Sequence, residues 1–237
     1  SEMCIRDRVE IEFSKASSID ISNAAYIADS LNIHDNYDTE SIDFASLVSV
    51  GESFNLNNNR DLATINIDSL DTIDGQFYLS SNNNIETLSA PALTLIKGNL
   101  QFNSNNGIEA VDMPKLTEIE GQIYFEYNNG VQELILPALT DLGGRLYLYS
   151  NNSLHTVNIA GLTEVPSSLD VRYNNALETL TLDAIEVVNG SVQIQGAHQI
   201  STFEMPKLLE VNGSFNLSDN NKIEHFGAPL FSDLSGS

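Results

Sequence analysis

The stretch GRLYLYSNNSLHTVNIAGLTEV, residues 144–165, decides the fold, because its pattern recurs along the chain every 23 residues. The same pattern appears in GNLQFNSNNGIEAVDMPKLTEI, residues 98–119. Nine consecutive units begin between Asp29 and Gly213 without an insertion, and Gly236 begins a tenth. A fixed period of this length is the signature of a repeat architecture. Positions within a unit are numbered below by their offset from its first residue, which is Gly144 in the first stretch.

Apolar side chains follow strand spacing within each unit. Offsets 2 and 4 are apolar in all nine units, as in Leu146 and Leu148, and so is offset 13, as in Val157. Alternation is typical of a β-strand, and no unit contains the i, i+3, i+4, i+7 pattern of a helix. We therefore predict an all-β parallel β-helix of 23-residue coils, about nine to ten in number, stacked about 4.8 Å apart.

Asparagine occupies offset 7 in eight of the nine units, and Ala197 is the exception. We expect the chain to turn at offsets 7 and 8, because asparagine tolerates left-handed backbone angles. An inward asparagine can also hydrogen-bond to its own turn and to its copies in adjacent coils. We predict a structural asparagine ladder that contains Asn59, Asn82, Asn105, Asn128, Asn151, Asn174 and Asn220.

The chain is strongly acidic, with a formal net charge of −23. Its ten lysines and arginines are scattered, which argues against nucleic-acid binding and against attraction to an anionic membrane surface. No stretch is long and apolar enough to span a bilayer, so we expect no direct membrane insertion of this segment. Stacked acids such as Glu86 and Glu109 indicate a solvated surface or, alternatively, a divalent-cation site between coils.

The beginning of the chain departs from the repeat. Residues 1–8, SEMCIRDR, fit no offset, and we interpret them as a non-native, adapter-like leader. We interpret residues 9–28 as a degraded first coil and residues 29–237 as a single β-solenoid domain. Because a solenoid needs polar caps and neither end shows one, we expect the chain to be a fragment of a longer protein.

The unit G-x-L-x-L-x-x-N-N-x-L resembles the repeat of the receptor L-domain, the leucine-rich-like β-helix of insulin- and EGF-receptor ectodomains. It is similar also to the arrays in fungal GPI-anchored cell-wall proteins and in related surface proteins of protists and bacteria. The resemblance covers residues 29–236. It implies a right-handed parallel β-helix, displayed at a cell surface for binding or structural support, and it supplies no catalytic residue.

The residues at the outward offsets 1, 3 and 5 of the first strand are mostly small and polar. In the middle of the chain, however, tyrosine, glutamate and arginine occupy these offsets. Aromatic rings beside hydrogen-bonding groups can hold a sugar ring or anchor a protein partner, although tyrosine also favours exposed strands without any ligand. Arg145 and Asp170 lie beside the tyrosines, and Tyr127 and Tyr173 lie at the following corner. We predict a ligand-binding cluster of Tyr124, Glu126, Tyr147, Tyr149 and Arg172.

Other chemistry has weaker support in the sequence. The four histidines lie at four different offsets, so we expect no metal site and no cofactor. An alternative is a polysaccharide-acting lyase or glycosidase that uses Glu126 and Asp170, which we expect roughly 10 Å apart. Sequons occur at Asn151, Asn189, Asn212 and Asn216, and we expect Asn151 to point inward and to escape glycosylation.

These patterns together predict a non-enzymatic repeat protein, extracellular or at the cell surface. Its expected role is adhesion, ligand recognition or surface organisation, and its expected partner is a protein or carbohydrate ligand. The polysaccharide-acting enzyme and a purely structural acidic spacer are the alternatives.

Overall fold

The computed structural model describes residues 3–235, and every regular element within them is a β-strand. Each coil contains three strands, and each strand pairs in parallel with its counterpart in at least one neighbouring coil. The pairing follows the repeat: Leu100 lies opposite Ile123, and Ile123 lies opposite Leu146. The chain is therefore a parallel β-solenoid of about ten coils, and the predicted fold is confirmed.

The strands form three faces. The first face is one ten-stranded sheet of Val9–Glu12, Leu31–His34, Phe54–Asn57, Phe77–Ser80, Leu100–Asn103, Ile123–Glu126, Leu146–Tyr149, Leu169–Arg172, Val192–Gln195 and Phe215–Asn216. The second face contains Ser18–Asp20, Ser41–Asp43, Thr64–Asn66, Thr87–Ser89, Ala110–Asp112, Glu133–Ile135, Thr156–Asn158, Thr179–Thr181, Thr202–Glu204 and His225–Gly227. The third face contains Met3–Ile5, Ala24–Ile27, Ser49–Val50, Thr72–Ile73, Leu95–Ile96, Glu118–Ile119, Asp141–Leu142, Glu164–Val165, Val187–Val188, Glu210–Val211 and Asp233–Leu234.

The first coil differs from the others in its spacing. Val9 pairs with Leu31, which is 22 rather than 23 residues away. Met3–Ile5, in the segment interpreted as a leader, pairs with Ala24–Ile27 with one register irregularity. Residues 3–12 therefore continue two of the three faces, although they do not follow the 23-residue period.

The core is a continuous apolar column along the solenoid axis. Every first-face strand from Leu31 to Gln195 buries its offsets 2 and 4 completely. Phenylalanine rings stack in the middle of this column: the centroids of Phe102 and Phe125 are 4.5 Å apart, and those of Phe54 and Phe77 are 5.0 Å apart. Burial of each such side chain stabilises the fold by about 1.5–3 kcal/mol.

The asparagine ladder is present and fully buried from Asn36 to Asn174. In each step the side-chain oxygen accepts hydrogen bonds from the backbone N–H and the side-chain amide of the preceding asparagine. For Asn105 donating to Asn128 these distances are 3.0 and 3.1 Å. The amide of Asn128 also donates to the carbonyl of Phe102, 26 residues earlier, at 3.0 Å. Ala197 interrupts the ladder before Asn220, which is only partly buried.

The expected left-handed backbone at offset 7 is wrong. Positive φ angles occur one residue earlier, at offset 6, for example at Ser104 (57°), Tyr127 (56°) and Tyr173 (58°). The physical reason is that the left-handed residue turns the chain outward, so that the next side chain can point into the coil. The asparagine is therefore selected for its buried amide and not for its backbone conformation.

We expect the substitution Asn128→Ala to lower the free energy of unfolding by roughly 2–4 kcal/mol. The alanine leaves the buried backbone N–H of Asn105 without its acceptor and removes the amide donor to the Phe102 carbonyl, and each orphaned group costs about 1–3 kcal/mol. The Asn151 oxygen keeps the backbone N–H of residue 128. Urea unfolding followed by far-UV circular dichroism measures the change.

The matched control is Asn129→Ala, one residue away on the exposed side of the same corner. Asn129 exchanges hydrogen bonds with Asn106 and Asn152 at the solvent-exposed surface. Its replacement should therefore lower the free energy of unfolding by less than about 1 kcal/mol. Equal losses for the two variants would contradict a structural role for the buried ladder.

Candidate functional site

The five side chains predicted to bind a ligand lie together on the outward side of three adjacent strands of the ten-stranded sheet. The register places Tyr124 beside Tyr147, Glu126 beside Tyr149, and Tyr149 beside Arg172. The name tyrosine face is used below for these five residues together with Tyr127, Arg145, Asp170 and Tyr173.

The tyrosine rings contact one another in a continuous cluster. Tyr124 stacks on Tyr147 with centroids 4.6 Å apart, and Tyr147 lies parallel to Tyr149 at 5.7 Å. Tyr127 and Tyr173, from the corners of the neighbouring coils, meet Tyr149 edge-on at 5.8 and 5.3 Å. Aromatic pairs of these kinds contribute about 0.5–1.5 kcal/mol beyond their burial. The rings therefore hold one another in place before any ligand arrives.

Two arginines extend the aromatic cluster. The guanidinium carbon of Arg145 lies 4.2 Å from the ring centroid of Tyr147 and 5.4 Å from that of Tyr124. The guanidinium carbon of Arg172 lies 5.6 Å from the centroid of Tyr149. Cations at these distances are attracted to the faces of the rings. Because residues two apart on a strand share one side, Tyr147 is flanked along its strand by Arg145 and Tyr149.

Both acids of the tyrosine face are held by neighbours. The Asp170 carboxylate accepts two hydrogen bonds from Arg172, from Nε at 2.5 Å and from Nη2 at 2.7 Å. The Glu126 carboxylate accepts one from the Tyr124 hydroxyl at 2.9 Å and one from the Asn103 amide at 2.8 Å. These are the two carboxylates that the enzyme hypothesis requires, and each accepts hydrogen bonds from neighbouring side chains.

The packing of the cluster changes the acidity of two phenols. Burial, followed by the hydrogen bond and the negative charge of Glu126, raises the pKa of Tyr124 to about 12. Burial, followed by the charges of Asp170 and Glu126, also raises the pKa of Tyr147. Both phenols stay protonated to higher pH than an ordinary tyrosine, and the proton of Tyr124 is donated to Glu126.

Arg145 is the member of the cluster whose importance the sequence did not reveal. Its position beside the tyrosines follows from the repeat, but its stacking over two rings depends on side-chain conformation. One feature of the sequence could have indicated its importance. Offset 1 is arginine only in this unit, and it is serine, glutamine or asparagine in the other eight units.

A second concave region follows the asparagine corner. Glu86 and Glu109 lie in an open groove of about 630 Å³ together with Gly107, Gly130 and Gln132. Among residues 3–235, no group of three or more histidine, cysteine, aspartate or glutamate side chains could hold a metal ion. That part of the chain also contains no helix long and apolar enough to cross a membrane.

The four sequons differ in accessibility. The amide of Asn151 is completely buried and donates to Asn174 and to the carbonyl of Phe125, so the prediction that it points inward is confirmed. Asn189 and Asn212 are exposed and hydrogen-bonded to each other, with Asn216 half-buried.

No protein-family model, no curated protein and no solved structure matches the chain. The functional interpretation therefore depends on the geometry of the chain itself.

We expect the phenol of Tyr124 to remain protonated at pH 11, at which an ordinary tyrosine with a pKa near 10 is mostly ionised. The folded-state pKa is raised, so the resulting contribution to stability is complete below about pH 10 and is lost as the pH rises toward 12. Titration of the Tyr124 Cζ resonance by ¹³C NMR measures this pKa.

The variant Glu126→Gln should lower the Tyr124 pKa only partly, because burial is the larger cause and remains. Tyr124→Phe identifies the resonance and keeps the ring stack. Ionisation of Tyr124 near pH 10 in the folded wild-type chain would contradict the packed geometry of the cluster.

Proposed function

We propose that this chain is a non-enzymatic binding module of an extracellular or cell-surface protein and that it recognises a protein ligand through the tyrosine face. The observation that carries the proposal is the cluster of five mutually packed tyrosines and two arginines on a ten-stranded sheet. Tyrosine and arginine are the residue types enriched in the energetic centres of protein interfaces.

Pre-organisation supports the proposal. The rings, arginines and acids of the tyrosine face already contact one another, so little side-chain entropy remains to be lost when a partner binds. The sheet beneath them is fixed by parallel pairing on both sides. A rigid aromatic surface of this kind binds with a lower ordering cost than flexible loops.

The same geometry favours a protein over a carbohydrate. Tyr147 already contacts two tyrosine rings and one guanidinium, so little of its ring face is available to stack on a sugar. Tyr127 and Tyr173 are more exposed, and they offer the best support for the carbohydrate alternative. The resemblance of the repeat to receptor L-domains and to cell-wall and surface proteins is consistent with a location outside the cell.

The test compares capture of extracellular proteins by the immobilised chain and by the double variant Tyr147→Ala, Tyr149→Ala. The control is Tyr78→Ala, at the same offset as Tyr147 but separated from the cluster by the coil that contains Gln101. A protein bound by the wild type and by the control should bind the double variant at least about 30-fold more weakly, as expected for loss of a hot spot. Circular dichroism and urea unfolding establish that all three chains are folded.

Equal binding to the double variant and the wild type, with both folded, would contradict the role of the tyrosine face. Retention of a glycan but of no protein would favour the carbohydrate alternative. Turnover of a polysaccharide that is abolished by Glu126→Gln would support the enzyme instead.

A further inference from the structure

Arg145 is placed differently from the other arginine of the tyrosine face. Arg172 is neutralised by Asp170, which engages its Nε and Nη2 atoms side-on. No carboxylate oxygen of residues 3–235 lies within 4.0 Å of the Arg145 guanidinium. The cluster therefore contains one arginine paired with a carboxylate and one with no carboxylate oxygen within 4.0 Å among residues 3–235.

The guanidinium of Arg145 is also oriented by its surroundings. Its central carbon, Cζ, lies over the rings of Tyr147 and Tyr124, at 4.2 and 5.4 Å from their centroids. Its Nε is buried and has no acceptor among residues 3–235, whereas its terminal nitrogens are neither buried nor hydrogen-bonded within that range. The accessible part of the Arg145 guanidinium is therefore the edge formed by its two terminal nitrogens.

We propose that Arg145 binds a carboxylate of the protein partner, end-on, through its two terminal nitrogens. This inference rests on the proposed function and names the chemistry of the partner: an aspartate or glutamate side chain, or a chain terminus, that meets the tyrosine face beside Tyr147. The planar fork of arginine matches a carboxylate with two parallel hydrogen bonds, and the aromatic rings remove part of its hydration.

A missing carboxylate partner does not by itself distinguish Arg145, because Lys115 and Lys207, for example, also lack a carboxylate oxygen within 4.0 Å among residues 3–235. What distinguishes Arg145 is its position over two tyrosine rings with a buried Nε that has no acceptor among those residues. The Glu126 carboxylate accepts hydrogen bonds from Tyr124 and Asn103, and Arg145 lies over the ring of that same Tyr124. At physiological salt the screening length is about 8 Å, so a bound carboxylate experiences Arg145 and Glu126 more strongly than the distant acids.

The experiment uses the full chain and sodium acetate as the probe. Arginine Nε–H resonances are recorded by ¹H–¹⁵N NMR while acetate is added, with sodium chloride at equal ionic strength as the reference. We expect the Arg145 resonance to shift saturably, with a Kd of about 1 mM or weaker, and the Arg172 resonance to stay in place. Glu126→Gln should tighten acetate binding, because it removes a nearby negative charge.

A second arm distinguishes the source of the carboxylate. Octa-glutamate, octa-glutamine and an oligogalacturonate of equal charge are titrated against the wild type and against Arg145→Gln. Octa-glutamate should bind the wild type with a Kd at least about tenfold lower than that of octa-glutamine, and Arg145→Gln should abolish this difference in affinity. Tighter binding of the galacturonate than of octa-glutamate would overturn the assignment to a protein carboxylate.

Two outcomes separate this inference from the proposed function. If acetate shifts Arg145 no more than chloride does, the carboxylate site is wrong, although loss of partner binding in Tyr147→Ala, Tyr149→Ala can still support the tyrosine face. If acetate binds at Arg145 but the double variant keeps its protein partner, the proposed function fails and the anion site stands alone.

Discussion

The asparagine ladder is the interaction on which the rest of the structure depends. Each buried asparagine from Asn59 to Asn151 exchanges hydrogen bonds with the asparagines of the coils before and after it, and it donates to a backbone carbonyl of the coil before, as Asn128 does. Unpaired polar groups in an apolar core are costly, so the ladder permits coils to stack only when equivalent residues lie directly over one another. This requirement fixes the 23-residue register of the coils from Asn36 to Asn174 and, through it, the positions of their outward side chains.

The tyrosine face is a direct consequence of that register. Tyr124 and Tyr147 are 23 residues apart in sequence, and parallel pairing brings their rings to 4.6 Å. Alternation along the strand adds Tyr149 and Arg145 on the same side. A displacement by one residue would turn these side chains into the core and turn the apolar residues outward. The stability of the fold and the shape of the candidate binding surface therefore have a common cause.

Much of the architecture could be predicted from the sequence, because a solenoid converts sequence distance directly into spatial distance. The parallel coils, the buried positions of Leu146 and Leu148 and the proximity of the five candidate residues all follow from counting. The two-residue third strand, as in Glu118–Ile119, was too short to show an alternating pattern. The left-handed residue was placed one position late, since asparagine is favoured both by left-handed turns and by buried amide ladders.

The functional details were less accessible to the sequence. The stacking of Arg145 on two rings and the engagement of Asp170 by Arg172 depend on side-chain rotamers, which the repeat does not specify. The candidate residues were found because they interrupt an otherwise small and polar column. What they bind depends on chemistry presented by a partner, and the sequence of one chain contains no record of that chemistry.

Distances between equivalent residues of successive coils measure the stacked register itself. With Cys4 replaced by serine, nitroxide labels on cysteine pairs at the exposed sites Glu86 and Glu178, Glu86 and Ser201, and Glu86 and Glu224 span four, five and six coils. Pulsed electron paramagnetic resonance should give separations of about 19, 24 and 29 Å, which grow by about 4.8 Å for every 23 residues. Separations that level off, or that do not grow in equal steps, would contradict the stacked register.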